Sequence, residues 1–294
     1  GNSSIIADRL ALGAADIVVT EAGFGSDMGA EKFMHIKAVN SGKAPDCVVM
    51  NVTVRSMKLH GGAFGSRGGY RPTKDELEKE NVDAVIHGAQ GNLDRHIKNM
   101  AGFGMPVIVS INRFDSDTDA ELDVLRTAAQ KSGATEVTLT EVHANGGKGG
   151  EDLAKAVVTA VQDNVANGRP FTPLYTPEMP IIEKMNAIAT RIYKADGIEI
   201  STSAMKQLSK FQAWGYDHLP VCMAKTQYSF SHDPGKLGAP VGFTVPVREF
   251  RLNAGAGFIV AILGNMMTMP GLPKRPAALD MDMDDEGNLT GVFG

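Results

Sequence analysis

Short apolar runs alternate along this chain with longer stretches whose apolar residues recur at helical spacing, and this alternation most constrains the fold. Runs at 17–20, 47–54, 84–86, 107–111 and 136–139 read as strands. Several are apolar at nearly every position, as in strands covered on both faces. Stretches at 75–80, 93–100, 120–131 and 151–164 read as amphipathic helices, and Asp117, Thr118 or Asp119 can cap the third. Strand–helix alternation predicts an α/β fold with a doubly wound, mostly parallel sheet. In such folds ligands sit in the loops at the carboxyl ends of the strands.

Beyond the fourth helix the composition changes. Glycine and proline crowd 168–173, with further prolines at 177 and 180. That predicts a connector, then two helices near 181–196 and 201–214 and a β-rich, glycine-punctuated tail. A lesser boundary falls at Gly102 to Gly104. We therefore expect three regions: 1–101, the tail of an α/β domain; 102–169, a second α/β region; and 170–294, a smaller α+β region. The 29 basic and 34 acidic residues leave a net charge of −5, which gives no general pull toward nucleic acid. The longest apolar run is far shorter than the ~20 residues of a membrane span. Cys47 and Cys222 lie far apart outside any CxxC pair, which predicts buried free thiols of a reducing compartment. The first residue is Gly and the first eighteen already read as a helix feeding a strand, which predicts that something precedes them.

Five segments carry chemistry. The loop 20–32, TEAGFGSDMGAEK, follows a predicted strand; its glycines admit a ligand to the backbone, and Glu21 and Asp27 are carboxylates for Mg²⁺ or substrate. Its GxGxxxG spacing is not the dinucleotide fingerprint. The segment TVRSMKLHGG at 53–62 ends a predicted strand in Arg55, Lys58, His60, Gly61 and Gly62, a basic cluster suited to phosphate or carboxylate. At 111–117, INRFDSD follows an apolar strand and offers Phe114 to a planar ligand. At 141–150, four glycines surround Lys148; this is an anion-loop composition but not a Walker A motif, and no GxxxxGK[ST] occurs in the chain. At 222–234, Lys225, Gln227 and Ser229 alternate and would share one side if extended. The Asp-rich 280–284 mimics a calcium loop but lacks its turn glycine and bidentate Glu, so an acidic hairpin is expected. Gly255 and Gly257 are expected to pack closely against a neighbour.

Together the stretches GNSSIIADRLAL, TEAGFGSDMGAEKF, VTVRSMKLHGG, FGMPVIVSINRF, VCMAKTQYSFSHDP and AGAGFIVAILGNMMTMPGLPKRPAA resemble formate–tetrahydrofolate ligases, also called formyltetrahydrofolate synthetases. The resemblance implies a P-loop NTPase-like α/β fold and ATP-dependent joining of formate to tetrahydrofolate through formyl phosphate. It implies cytoplasmic homotetramers that need Mg²⁺ and a monovalent cation, K⁺ or NH₄⁺, with no nucleic-acid or membrane partner. It also implies that the Walker A loop lies in an N-terminal half missing from this chain, so that the chain alone is inactive. Arg55, Lys58 and His60 are then expected at the reacting phosphate, and Gly61, Gly62, Glu21, Gly23 and Asp27 at the nucleotide. Phe114, Asp115, Leu139 and His143 are expected at the pterin. The resemblance departs at His143, where the family carries Trp, at Asp115, where it carries Pro, and at His232, where it carries Asp. The alternative is a non-catalytic folate- or nucleotide-binding module, or a subunit completed by a separate N-terminal half.

Overall fold

The computed structural model describes residues 4–65, 72–168, 170–264, 275–287 and 289–291. Three parallel strands form the first sheet: β1 (Val48–Val52), β2 (Val107–Asn112) and β3 (Glu136–Thr140), in the order β1-β2-β3. β2 is central and buried from Val107 to Ile111, which explains its unbroken apolar run. The one polar residue of that buried stretch, Ser110, is satisfied by the Thr140 hydroxyl at 3.1 Å. The helices that follow β1 and β2 each start with a definite device. Thr53 and Ser56 form a capping box that opens helix Val54–His60. Thr118 and Glu121 do the same for helix Asp119–Lys131.

Past the connector, β4 (Gly197–Ile200) pairs in parallel with β6 (Thr244–Val247), and β5 (Val221–Ala224) pairs in parallel with β8 (Phe258–Ile262). β7 (Glu249–Asn253) runs antiparallel to β8. The acidic hairpin is present as β9 (Asp282–Met283) against β10 (Leu289–Thr290). The α/β expectation with parallel sheets thus holds. No helix among the described residues is long and apolar enough to cross a membrane.

Several expected elements differ. Residues 84–86 lie in helix Val82–Gly88, not in a strand. The Asn81 side chain accepts from the Ala84 N–H at 3.0 Å and nucleates a helix whose β-branched residues imitate a strand. Residues 17–20 pair with no strand among the described residues, and Ile17 and Val19 are exposed. The segment 54–60, expected as the end of a strand, is helical. Gly257 has φ +75° in the turn joining β7 to β8, with open space around it and around Gly255, so these glycines serve the turn and not a close contact.

One continuous apolar core joins the two sides of the connector, running from Phe33 through Ile111 to Met185, Val221 and Leu263. The connector is fastened to it. The Thr172 N–H donates to the Phe103 carbonyl at 3.1 Å, and the Leu174 N–H donates to His35 Nε2 at the same distance. The His35 ring stacks on Tyr175 at 4.4 Å.

Candidate active site at the carboxyl edge and the seam behind it

Functional side chains gather in two places. The first is a buried polar seam between the loop 20–32, the helical run 89–101 and the segment after β5. Both contributing helices contain π-helical turns, at Phe33–Ala38 and Ala89–Leu93, which reset the facing of the residues around them. Lys225 is 2% exposed and donates to the Asp27 carboxylate, to the Thr226 carbonyl at 3.1 Å and to the Ser229 carbonyl. The 225–229 segment therefore curls over Lys225 and is not the extended strand expected from its alternation. Burial pushes the Asp27 carboxyl up, but Lys225, His96 and Lys32 together overcome it and hold it below its ordinary range. Ser26, beside it, shares its hydroxyl with His96 Nδ1 at 2.7 Å and accepts from Asn99 at 3.0 Å. The Ser26 N–H also donates to His96 Nδ1 at 3.3 Å. That nitrogen is thus an acceptor, and burial lowers the His96 pKa to about 4 against the pull of Asp27. A turn further along, Glu31 holds Lys32 at 3.0 Å and His35 at 2.6 Å.

The second place is the carboxyl edge of the first sheet. Arg113 and Phe114 follow β2. Arg113 pairs with Glu141, which follows β3, at 3.1 Å. Glu141 and Leu139 line an open cleft of about 420 Å³ together with Asn145, Lys148 and Asp152. The Phe114 N–H donates to Asp117 at 2.9 Å, which fixes the turn and leaves the ring half-exposed. The Arg55 guanidinium lies over that ring, 4.0 Å from its centre. His143 and Asp115 are exposed near the ends of β3 and β2; of the four residues expected at the pterin only Leu139 lines the cleft, and Phe114, Asp115 and His143 do not.

The structure separates the basic cluster 55–60. Because the segment is helical, its side chains meet three different neighbours. Arg55 goes to Phe114. Lys58 is fully buried and donates to Glu121 at 2.9 Å and to the Leu77 and Lys79 carbonyls at 3.0 Å. It clamps neighbouring segments and presents no face to a phosphate, contrary to the expectation for this residue. His60 accepts from the Gly238 N–H at 3.2 Å, and burial lowers its pKa despite Asp27. Gly61 serves packing: a Cβ there would lie 1.8 Å from the Ala84 carbonyl oxygen, so helices Val54–His60 and Val82–Gly88 touch backbone to backbone. Gly62, with φ +84°, is exposed beside it, as are Glu21 and Gly23 in their loop. Asp27 is not available to a ligand in the same way, since Lys225 occupies its carboxylate. The sequence reading missed Ser26, His96, Asn99 and the Lys225–Asp27 pair. Only the polar density of the two loops signalled them, because partners 198 residues apart have no local pattern.

The chain is an α/β protein with a parallel sheet, and an aromatic, two arginines and a separate open cleft stand at the carboxyl edge, where such folds hold their ligands. The family model of formate–tetrahydrofolate ligase matches residues 1–293. The chain is 50% identical over 293 residues to the formate–tetrahydrofolate ligases of Acidiphilium cryptum and Leuconostoc citreum, and 49% identical to that of Paracoccus denitrificans. All of this chain is covered in each match, and it spans about half the length of those curated relatives, 50%. The chain belongs to the formate–tetrahydrofolate ligase family.

Proposed function

We propose that this chain supplies the pterin-binding edge of an ATP-dependent ligase that joins formate to tetrahydrofolate, giving 10-formyltetrahydrofolate through formyl phosphate. The observation that carries this reading is Phe114, held half-exposed at the end of β2 next to the Arg113–Glu141 pair that borders the cleft. A ring fixed by its own backbone turn is a ready platform for a flat heterocycle. Leu139 adds an apolar wall, and exposed Lys148 places a cation where the acidic tail of a folate or an acyl phosphate would lie.

On the other side, His60, Gly62, Glu21 and Gly23 are the surface for the nucleotide. Among the described residues no group of three or more His, Cys, Asp or Glu side chains is arranged to hold a metal ion. Exposed Glu21 fits Mg²⁺ as it is usually held, by one or two carboxylates plus substrate phosphates; buried Asp27 does not, because Lys225 already neutralises it. Bound there, Mg²⁺ would neutralise phosphate charge. Within this chain the task is narrower: stack the pterin, keep water off its face and aim N10 toward the formyl carbon. Calorimetric titration of the chain with tetrahydrofolate tests the reading. We expect binding that Phe114→Ala weakens roughly tenfold, as loss of one stacking face implies. Equal affinity of the two proteins would remove Phe114 from the site.

A further inference from the structure

We infer that Arg55 is a specificity-determining residue that, from behind Phe114, tunes that ring for a reduced, electron-rich pterin over an oxidised one. The inference rests on the reading of Phe114 as the pterin platform.

The Arg55 side chain is bonded unlike its neighbours. Lys58, one turn on, has three acceptors at 2.9–3.0 Å. Arg113 has Glu141 at 3.1 Å. Among the described residues Arg55 has only Glu78 and Ser116, each at 3.4 Å, and its buried Nε has no hydrogen-bond partner. Its guanidinium also lies over the face of Phe114, 4.0 Å from the ring centre. The guanidinium is thus held as a plate against the ring and not as half of a tight ion pair. Phe114 is half-exposed with one face covered by Arg55, so the other face is the one a ligand meets.

A cation on one face of an aromatic ring draws electron density toward itself. The opposite face becomes less negative and better suited to an electron-rich plane. Tetrahydropterin is such a plane: its N5 and N8 lone pairs feed the aminopyrimidinone ring. The fully oxidised pterin of folic acid is electron-poor. Arg55 therefore favours the reduced ligand without touching it, which makes it a positioning residue and not a catalytic one.

The test is titration of the wild-type chain, Arg55→Ala, Arg55→Lys and Phe114→Ala with tetrahydrofolate and, separately, with folic acid. Thermal melts run alongside confirm that each variant is folded. For Arg55→Ala we expect tetrahydrofolate binding weakened roughly fivefold and folic acid binding by less than about twofold, the scale of one cation–π contact. Arg55→Lys keeps a charge over the ring and restores part of the preference. Equal losses for both ligands, or tighter tetrahydrofolate binding by Arg55→Ala, overturn the inference; the first would mean general support, the second that Arg55 obstructs the ring. A loss on Phe114→Ala with no change on Arg55→Ala refutes this inference alone. No loss on Phe114→Ala, or no binding by the wild-type chain, refutes the platform reading and this inference with it.

Discussion

The seam around Lys225 and the edge around Phe114 are both rich in charge, yet they treat it in opposite ways. In the seam the Lys225 ammonium is closed off by a carboxylate and two carbonyls, and Ser26, His96 and Asn99 bond one another. At the edge the groups are half-exposed, and Arg55 reaches its partners only at 3.4 Å while Arg113, 35% exposed, holds Glu141 at 3.1 Å. The Lys225 ammonium is saturated, although the Tyr193 hydroxyl beside it has no hydrogen-bond partner among the described residues; a saturated cation is held rigid, whereas an undersaturated one retains the capacity to bond something else. The comparison teaches that density of charge does not mark a ligand site in this molecule. On the proposed reading, the unspent bonding capacity of the Arg55 cation is the better guide.

The strongest way to break the comparison is to open the seam. Lys225→Met leaves Asp27 buried without its cation, and we expect a loss of roughly 3–5 kcal/mol in urea unfolding. The double change with Asp27→Asn should recover part of it. A loss below about 1 kcal/mol for the single change would show that the Lys225–Asp27 pair contributes little to stability.

Acid is a gentler probe of the same seam. The folded-state pKa of His96 is lowered to about 4, below its ordinary 6.5. The unfolded chain therefore binds the proton first as pH falls. His96 contributes its full stability above pH 6.5 and loses it progressively between 6.5 and about 4, by about 2 kcal/mol after allowance for its partial exposure. Asp27, Lys225, Arg95 and His60 face it and set the background. Unfolding free energies measured across that window should fall, and His96→Asn should flatten the slope. An unchanged slope in the variant would assign the acid sensitivity to another group.

The smallest effect is expected at the edge. His143→Trp enlarges an exposed ring near the end of β3. It should tighten tetrahydrofolate binding roughly threefold through added stacking area, while stability stays within about 0.5 kcal/mol. Unchanged affinity would place residue 143 outside the pocket, in keeping with its absence from the cleft lining.

Much of the first sheet is legible in the sequence because its determinants are local. The apolar run of β2, the β-branched stretch of β3 and the Thr118 capping box each announce their element within a few residues. The errors arise where one local signal serves two structures. Val85 and Ile86 have strand chemistry, but Asn81 caps a helix that contains them. Arg55, Lys58 and His60 converge in a linear reading and diverge once the segment turns helical, since successive helical residues point about 100° apart. The seam was illegible for another reason: Asp27 and Lys225 meet only through the packing of distant elements.

The unbroken core across the connector also bears on heredity. Phe33, Phe103, Tyr175 and Tyr193 belong to one packed body, and His35 reaches across it to the Leu174 backbone. The segments before and after 168–173 are therefore not interchangeable parts. A chimera joining one relative's front segment to another's tail would inherit half of each buried bond, and substitutions on one side will be tolerated only in company with their counterparts on the other.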